Sequence, residues 1–329
     1  MNKRKVFSIL LVGLLATTML FGASAAVAAK TRLAFSGGPD GGTFQFFSNA
    51  ISSILSKVDR DVEVSNMASA GSVENLRRIN SGDADFGIVY SGDIYLARNG
   101  QLTNDTRKYT NVHAISYLYG APAHLVVLAS SGINNVSDLE GKRVAVGPAG
   151  SGAAASAQRY FAGVNMWDKI NQEFIGYSQG ASALGDKLID ALWVFAGYPN
   201  SAVIQTAASN DIKILSLVEA GEATGFFQEN PYYTKVIIPE GTYHGVDYDV
   251  HTIQDSAVWA AGKHVKDEHV YTALSNIYSP QGLGFMVSAS RAAKSMSIED
   301  GLFGIATPVH SGAQKFWTEK GLTLTPEQK

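Results

Sequence analysis

Three short stretches have a composition suited to holding an anion: Ser36-Gly37-Gly38-Pro39-Asp40-Gly41-Gly42-Thr43, Ala68-Ser69-Ala70-Gly71-Ser72-Val73 and Gly147-Pro148-Ala149-Gly150-Ser151-Gly152-Ala153. Each joins a strand-like run to a helix-like one. First-turn amides of a helix lack an intrahelical acceptor and sit at the positive end of its dipole, so they bind a carboxylate or phosphate well. Glycine lets a ligand approach the backbone, and serine or threonine adds a hydroxyl. Any one of these loops is read equally well as a turn with Ser72 or Thr43 as helix cap. Three together favour a shared ligand, because ligands of α/β sheets sit outside the carboxyl ends of the strands. None is a nucleotide site: Gly150-Ser151-Gly152-Ala153 has neither the lysine of a Walker loop nor the spacing of a dinucleotide turn.

The strongest sign of catalysis is Gly176-Tyr177-Ser178-Gln179-Gly180, which fits a Gly-x-Ser-x-Gly nucleophile elbow between a predicted strand and a predicted helix. A triad in the usual chain order would add Asp249 or Asp255 and then His310. In a chain with 33 glycines the pattern also arises by chance, and Tyr177 and Ser178 then line a cleft or make the turn. Metal chemistry finds no ligand set, since the seven histidines lack i, i+4 pairing or carboxylate spacing. No cofactor is expected. Trp193, Phe195 and Tyr198 read either as core or as a ligand wall at a strand's carboxyl end.

The elements that must position these residues alternate. Residues 31–36, 62–65, 86–90, 112–118, 125–129, 143–147, 173–175 and 191–195 are predicted strands. Residues 43–57, 73–81, 151–161, 181–189 and 201–209 are predicted helices. This rhythm predicts an α/β fold with mostly parallel sheets covered on both faces. Beyond residue 232 the pattern loosens, with strands at 235–238 and 256–261 and a helix at 266–278.

The N-terminus has the form of a secretory signal: basic Met1-Asn2-Lys3-Arg4-Lys5, an apolar run from Val6 to Gly22, then two small-residue cleavage sites at Ala23-Ser24-Ala25 and Ala26-Val27-Ala28. Export with removal of residues 1–28 is expected, and no later run is long and apolar enough to span a membrane. The chain has no cysteine, which excludes disulfides, thiolate chemistry and a lipidated cysteine at the cleavage site. It carries 26 basic against 29 acidic residues. The leader takes three of those bases and no acid, so nucleic acid is not an expected partner.

Several segments resemble the TAXI-type solute receptors of TRAP transporters. They are Gly41-Gly42-Thr43-Phe44, Ala70-Gly71-Ser72-Val73-Glu74-Asn75-Leu76, Ser81-Gly82-Asp83-Ala84-Asp85-Phe86-Gly87-Ile88-Val89, Asp138-Leu139-Glu140-Gly141-Lys142-Arg143-Val144-Ala145-Val146-Gly147, Gly150-Ser151-Gly152 and Val309-His310-Ser311-Gly312-Ala313. The resemblance implies a type II periplasmic-binding-protein fold whose two lobes are joined by crossing strands and close like a hinge. Lobe I would be 29–120 with 232–329, and lobe II 121–231. It implies a periplasmic monomer, not an enzyme, that passes a small organic anion such as glutamate or 2-oxoglutarate to a TRAP membrane permease. It assigns Gly42, Thr43, Phe44, Ser72 and Val73 to one cleft wall and Gly150, Ser151 and Gly152 to the other, with Tyr90 and Ser91 following the family's strand into the cleft. The expected carboxylate contacts are the amides of Ser151, Gly152 and Ala153 and the hydroxyls of Thr43 and Ser72, with Phe195 and Tyr198 beside them. Three departures stand out: Ala153 where threonine is usual, Phe44-Gln45 where Tyr-Tyr is usual, and Lys187 where glycine is usual. The first two point to a more hydrophobic carboxylate.

Overall fold

Short apolar runs and amphipathic segments alternate through the computed structural model, which describes residues 30–103 and 105–329. The expected leader at 1–28 lies outside the described residues. The first elements are β1 (Thr31–Ser36), α1 (Thr43–Val58), β2 (Val62–Met67), α2 (Ser72–Ser81), β3 (Phe86–Tyr90) and α3 (Ser91–Asn99). α1 buries Phe44, Phe47, Ile51 and Leu55, an i, i+3, i+7, i+11 stripe facing the sheet. α2 buries Val73, Leu76 and Ile79 and ends at Gly82, whose φ of 85° is the left-handed cap that glycine adopts without cost. β2, β1 and β3 pair in that order, all parallel.

Two long strands carry the chain between halves. The sequence reads residues 112–118 and 125–129 as two strands, but they form one, β4 (Val112–Leu128). Pro122 is tolerated because it falls at the change of partner. Up to Pro122, β4 pairs with the late strand, and from Ala123 onward it pairs with two others. The second half follows as β5 (Arg143–Ala145), α4 (Gly152–Gly163), β6 (Asn171–Glu173), α5 (Tyr177–Gly185), β7 (Ala191–Phe195), α6 (Ser201–Ser209) and β8 (Ile212–Leu215). β5 is parallel to both β6 and β7, while β7 and β8 run antiparallel to β4. Helices α7 (Val218–Thr224) and α8 (Phe226–Glu229) lead into β9 (Thr234–Ile238) and β10 (Val250–Gly262). β10 returns antiparallel to β9, then to β4 and β3. Three helices, α9 (Asp267–Ile277), α10 (Pro280–Ala289) and α11 (Ser311–Glu319), finish the first half.

The α/β expectation holds: parallel strands flank each side and antiparallel ones make the crossing. Each side has its own aromatic core. Phe35, Phe86 and Trp259 stack beside β1 and β3. Tyr160, Phe161, Trp193 and Phe226 pack ring against ring beside β7, two of the four contacts edge to face. Two boundaries differ from the sequence reading for physical reasons. β5 stops at Ala145 because Gly147 turns away at φ 101°. The helix expected at 181–189 begins at Tyr177, since the Gly180 amide already bonds the Gly176 carbonyl, and it ends where Lys187 takes φ 59°.

Candidate functional site

Four helices begin at one point. The N-cap residues Gly42 of α1, Gly71 of α2, Ser151 of α4 and Gly176 of α5 bring the first turns of their helices together from both sides of the crossing strands. Eight expected residues, Gly42, Thr43, Phe44, Ser72, Tyr90, Gly152, Ala153 and Phe195, wall the small inner cavity left there. Its volume is about 10 Å³, roughly the space of one water molecule. Pro39, Ala70 and Gly71, which sequence placed in the anion-holding loops without assigning them individually, also line it, as do Ala196, which sequence did not assign, and Tyr177, which it left undecided.

Hydrogen bonds join the two sides around the cavity. Thr43 Oγ1 donates to the Gly197 carbonyl at 3.5 Å, and Asn200 Nδ2 and Ser201 Oγ both donate to the Gly41 carbonyl, at 3.1 and 3.0 Å. The Tyr90 hydroxyl donates to the Phe195 carbonyl, which the Tyr177 hydroxyl also reaches at 2.9 Å. Burial pushes the Tyr90 and Tyr177 hydroxyls up from their ordinary pKa of 10, so both stay neutral donors. Gly152 is the residue that permits this approach. A Cβ there would lie 2.6 Å from Ser72 Cβ and 2.8 Å from both Tyr90 Cδ2 and Asp93 Oδ2.

The two hydroxyls expected to meet a carboxylate, those of Thr43 and Ser72, both have structural partners, and so does the hydroxyl of Ser151. Ser72 Oγ accepts from the Tyr90 amide at 2.9 Å, which fixes the end of β3 and leaves its own hydrogen to donate. Ser151 Oγ accepts from the Ala154 amide at 2.9 Å and caps α4.

Five expected residues lie elsewhere. Val73, Gly150 and Ser151 line a separate outer cleft of about 460 Å³ on the far side of the Ser72–Gly152 contact. Val73 faces away from the cavity because successive helix residues turn by about 100°. Gly150 and Ser151 do so because they belong to the turn before α4, Gly150 at φ 73° and Ser151 extended. Ser91 bonds the Gly304 carbonyl and lines a surface groove instead. Tyr198 is half-buried and packs against the core.

A buried charge cluster lies behind the cavity and was not found from sequence. Asp93 on α3 pairs with Arg159 on α4, whose Nη1 also donates to the Tyr233 hydroxyl at 2.7 Å. Asp255 on β10 accepts from the Gly92 amide at 3.1 Å and the Ser256 amide at 2.7 Å. Burial, and then repulsion from Asp93, pushes Asp255 up to about 8, with Arg159 pulling the other way. Asp93 Oδ2 is buried with no hydrogen-bond partner among the described residues.

The elbow does not assemble its triad. Ser178 faces the Gly41 turn, its Oγ 2.7 Å from where Gly41 would carry a Cβ. His310 caps α11, bonding the Val265 carbonyl at 3.0 Å and the Gly312 amide at 3.3 Å. Asp249 accepts from the Glu240 amide and Asp255 from Gly92, so acid, base and nucleophile sit on different elements with different partners.

The fold is shared with solved binding proteins of low sequence identity. The alkanesulfonate-binding protein SsuA from Xanthomonas axonopodis pv. citri, bound to MOPS, is 12% identical with a TM-score of 0.50, covering 89% of this chain and 91% of its own. MatC from Rhodopseudomonas palustris, with bound malate, is 12% identical with a TM-score of 0.51, covering 88% and 98%. A putative L-cystine ABC transporter protein from Listeria monocytogenes is 14% identical with a TM-score of 0.50, covering 80% and 97%. A model of the NMT1-like family matches residues 35–321, nearly all of the described sequence, and the chain belongs to that family.

Proposed function

We propose that the protein is an extracytoplasmic solute receptor that closes on a small organic anion and delivers it to a membrane transporter. The observation that carries this reading is the meeting of four helix N-termini, drawn from both sides of two crossing strands, at one cavity. Such termini supply amides and a positive dipole field without any dedicated cation, the requirement for holding a carboxylate that must later be released. The bound MOPS and malate of two proteins of this fold, both organic anions, point the same way.

On this reading 29–120 with 232–329 form one lobe and 121–231 the other, with β4 and β10 as the hinge. The cross-cleft bonds of Tyr90, Asn200 and Ser201 then belong to the closed state, and a solute enters when they part. The TAXI-like segments favour a TRAP-type permease as partner, with the receptor acting as a periplasmic monomer after loss of 1–28.

A thermal-shift screen of the purified protein against dicarboxylates, 2-oxoacids, amino acids, sulfonates and apolar carboxylates tests the proposal. A ligand of the folded state alone, at one hundred times its Kd, adds about 2.7 kcal/mol and raises Tm by several degrees. A shift with one anion class and none with its neutral isosteres is the expected result. No shift with any class overturns the reading.

A further inference from the structure

The space between the two sides lies mainly in the outer cleft. The inner cavity, at about 10 Å³, cannot take a ring, since a benzene-sized void is about 150 Å³. The outer cleft, at about 460 Å³, falls within the range of small-molecule sites. It is built from both sides, with Val73, Arg77 and Leu96 on one and Ser151, Trp167 and Phe174 on the other.

Two of its properties select a ligand. The first is charge: Arg77 and Arg159 line the cleft and, among the described residues, no acidic side chain does, in a chain whose acids outnumber its bases. Arg159 is engaged by Asp93 and Tyr233. Arg77 has no hydrogen bond or ion pair among the described residues, and its Nη1 reaches to 3.3 Å from the Cβ position of Gly150 across the cleft. The second is aromatic surface. Phe174 is 49% exposed, Trp167 is the one tryptophan of four that is not fully buried, and Tyr232 completes the wall. Aromatic faces beside one uncommitted guanidinium, in a cleft that Gln101, Gln158 and Asn230 also line, suit a planar ring bearing one negative charge.

We infer that the outer cleft is the seat of an aromatic carboxylate, with Arg77 holding the carboxylate and Trp167 and Phe174 packing on the ring. This rests on the receptor reading, names its substrate class and moves the anion from the inner cavity, too small for a ring, to the outer cleft between the same two sides.

The test is titration of the purified protein with phenylacetate and cinnamate, compared with hexanoate, malate and neutral benzyl alcohol, by calorimetry and tryptophan fluorescence. The expected result is that the aromatic carboxylates bind at least tenfold more tightly than hexanoate or benzyl alcohol. They should also perturb an emission component that Trp167→Phe removes. Arg77→Gln, a change on an exposed helix face, should melt like the parent and lose at least tenfold in affinity for phenylacetate while leaving benzyl alcohol unchanged. Aromatic binding that Arg77→Gln and Trp167→Phe leave untouched overturns the assignment. Binding of malate or hexanoate without an aromatic response overturns it and leaves the receptor reading standing. Silence to every anion overturns both.

Discussion

Arg159 and Asp93 form an ion pair that crosses between α4 and α3, with side chains only 13% and 1% exposed. Two charges are removed from water at the junction of the halves, and their geometry must repay that cost. Tyr233 and the rings of Tyr232 and Tyr233, with centroids 5.9 and 5.8 Å from the guanidinium carbon, supply the remaining contacts. Burial works against the charge of Arg159, but Tyr233, Asp93 and Tyr232 outweigh it and the guanidinium stays ionised.

Breaking such a pair from one side leaves the other charge buried alone. Arg159→Gln, which strands Asp93 beside Asp255, should therefore cost about 3–5 kcal/mol. Urea unfolding followed by far-UV circular dichroism checks this: a lower midpoint with an unchanged m-value is expected.

Asp255 makes stability depend on pH in an unusual direction. Its folded pKa of about 8 lies above the ordinary 3.8, so the folded state binds more protons and stability is lost as pH rises through 8. Burial moves His113 and His124 the other way, down to about 4, so their contribution grows as pH rises from 4 to 6.5. The two trends oppose each other below 6.5, and Asp255 acts alone above it. Between pH 6.5 and 8 stability should fall by up to about 2 kcal/mol, at about 1.4 kcal/mol per unit. Denaturant midpoints across that window should show the fall in the parent and its absence in Asp255→Asn.

The close approach of the two sides depends on Gly152 having no side chain. Gly152→Ala places a methyl group against Ser72, Tyr90 and Asp93 on the opposite side and should hold the halves apart while each keeps its own core. Small-angle scattering should give a larger radius of gyration than the parent. Gly176→Ala, at another helix cap with nothing within 4 Å of the new carbon, should scatter as the parent does.

Local sequence carried much of this architecture. β1, β3, β7 and α6 span the residues their patterns predict, and the Gly/Ser turns do open helices at one cavity. Sequence could not show that Gly152 and Ser151 face different spaces, because the strand-to-helix turn decides that: Ser151 is an extended N-cap and Gly152 the first helical residue. It was equally silent on Asp93 and Arg159, and it read Asp255 only as a possible triad acid, not as their buried neighbour. Asp93 and Arg159 are 66 residues apart, and Asp255 reaches Gly92 across 163, with no periodic signal linking them. β4 looked like two strands because Pro122 marks a break in local pattern, and only the change of partner strand explains its place there.

Lys187 offers a test of backbone strain separate from any ligand. It sits at φ 59° after α5, in the left-handed region that costs an L-residue roughly 1–2 kcal/mol and glycine almost nothing. Its carbonyl accepts from Arg143 Nη2 at 2.9 Å, a bond that any residue at 187 retains. Lys187→Gly should therefore stabilise the protein by about 0.5–1 kcal/mol, the relief of strain less the greater freedom glycine has when unfolded. Lys187→Ala removes the same side chain and keeps the strain, so it should give no gain. Asn165, at φ 58°, already has the side chain that best tolerates this region, and Asn165→Gly should change little. Thermal melts of the three variants decide the matter: a rise in Lys187→Gly alone assigns the gain to backbone conformation, and an equal rise in Lys187→Ala assigns it to the lost lysine.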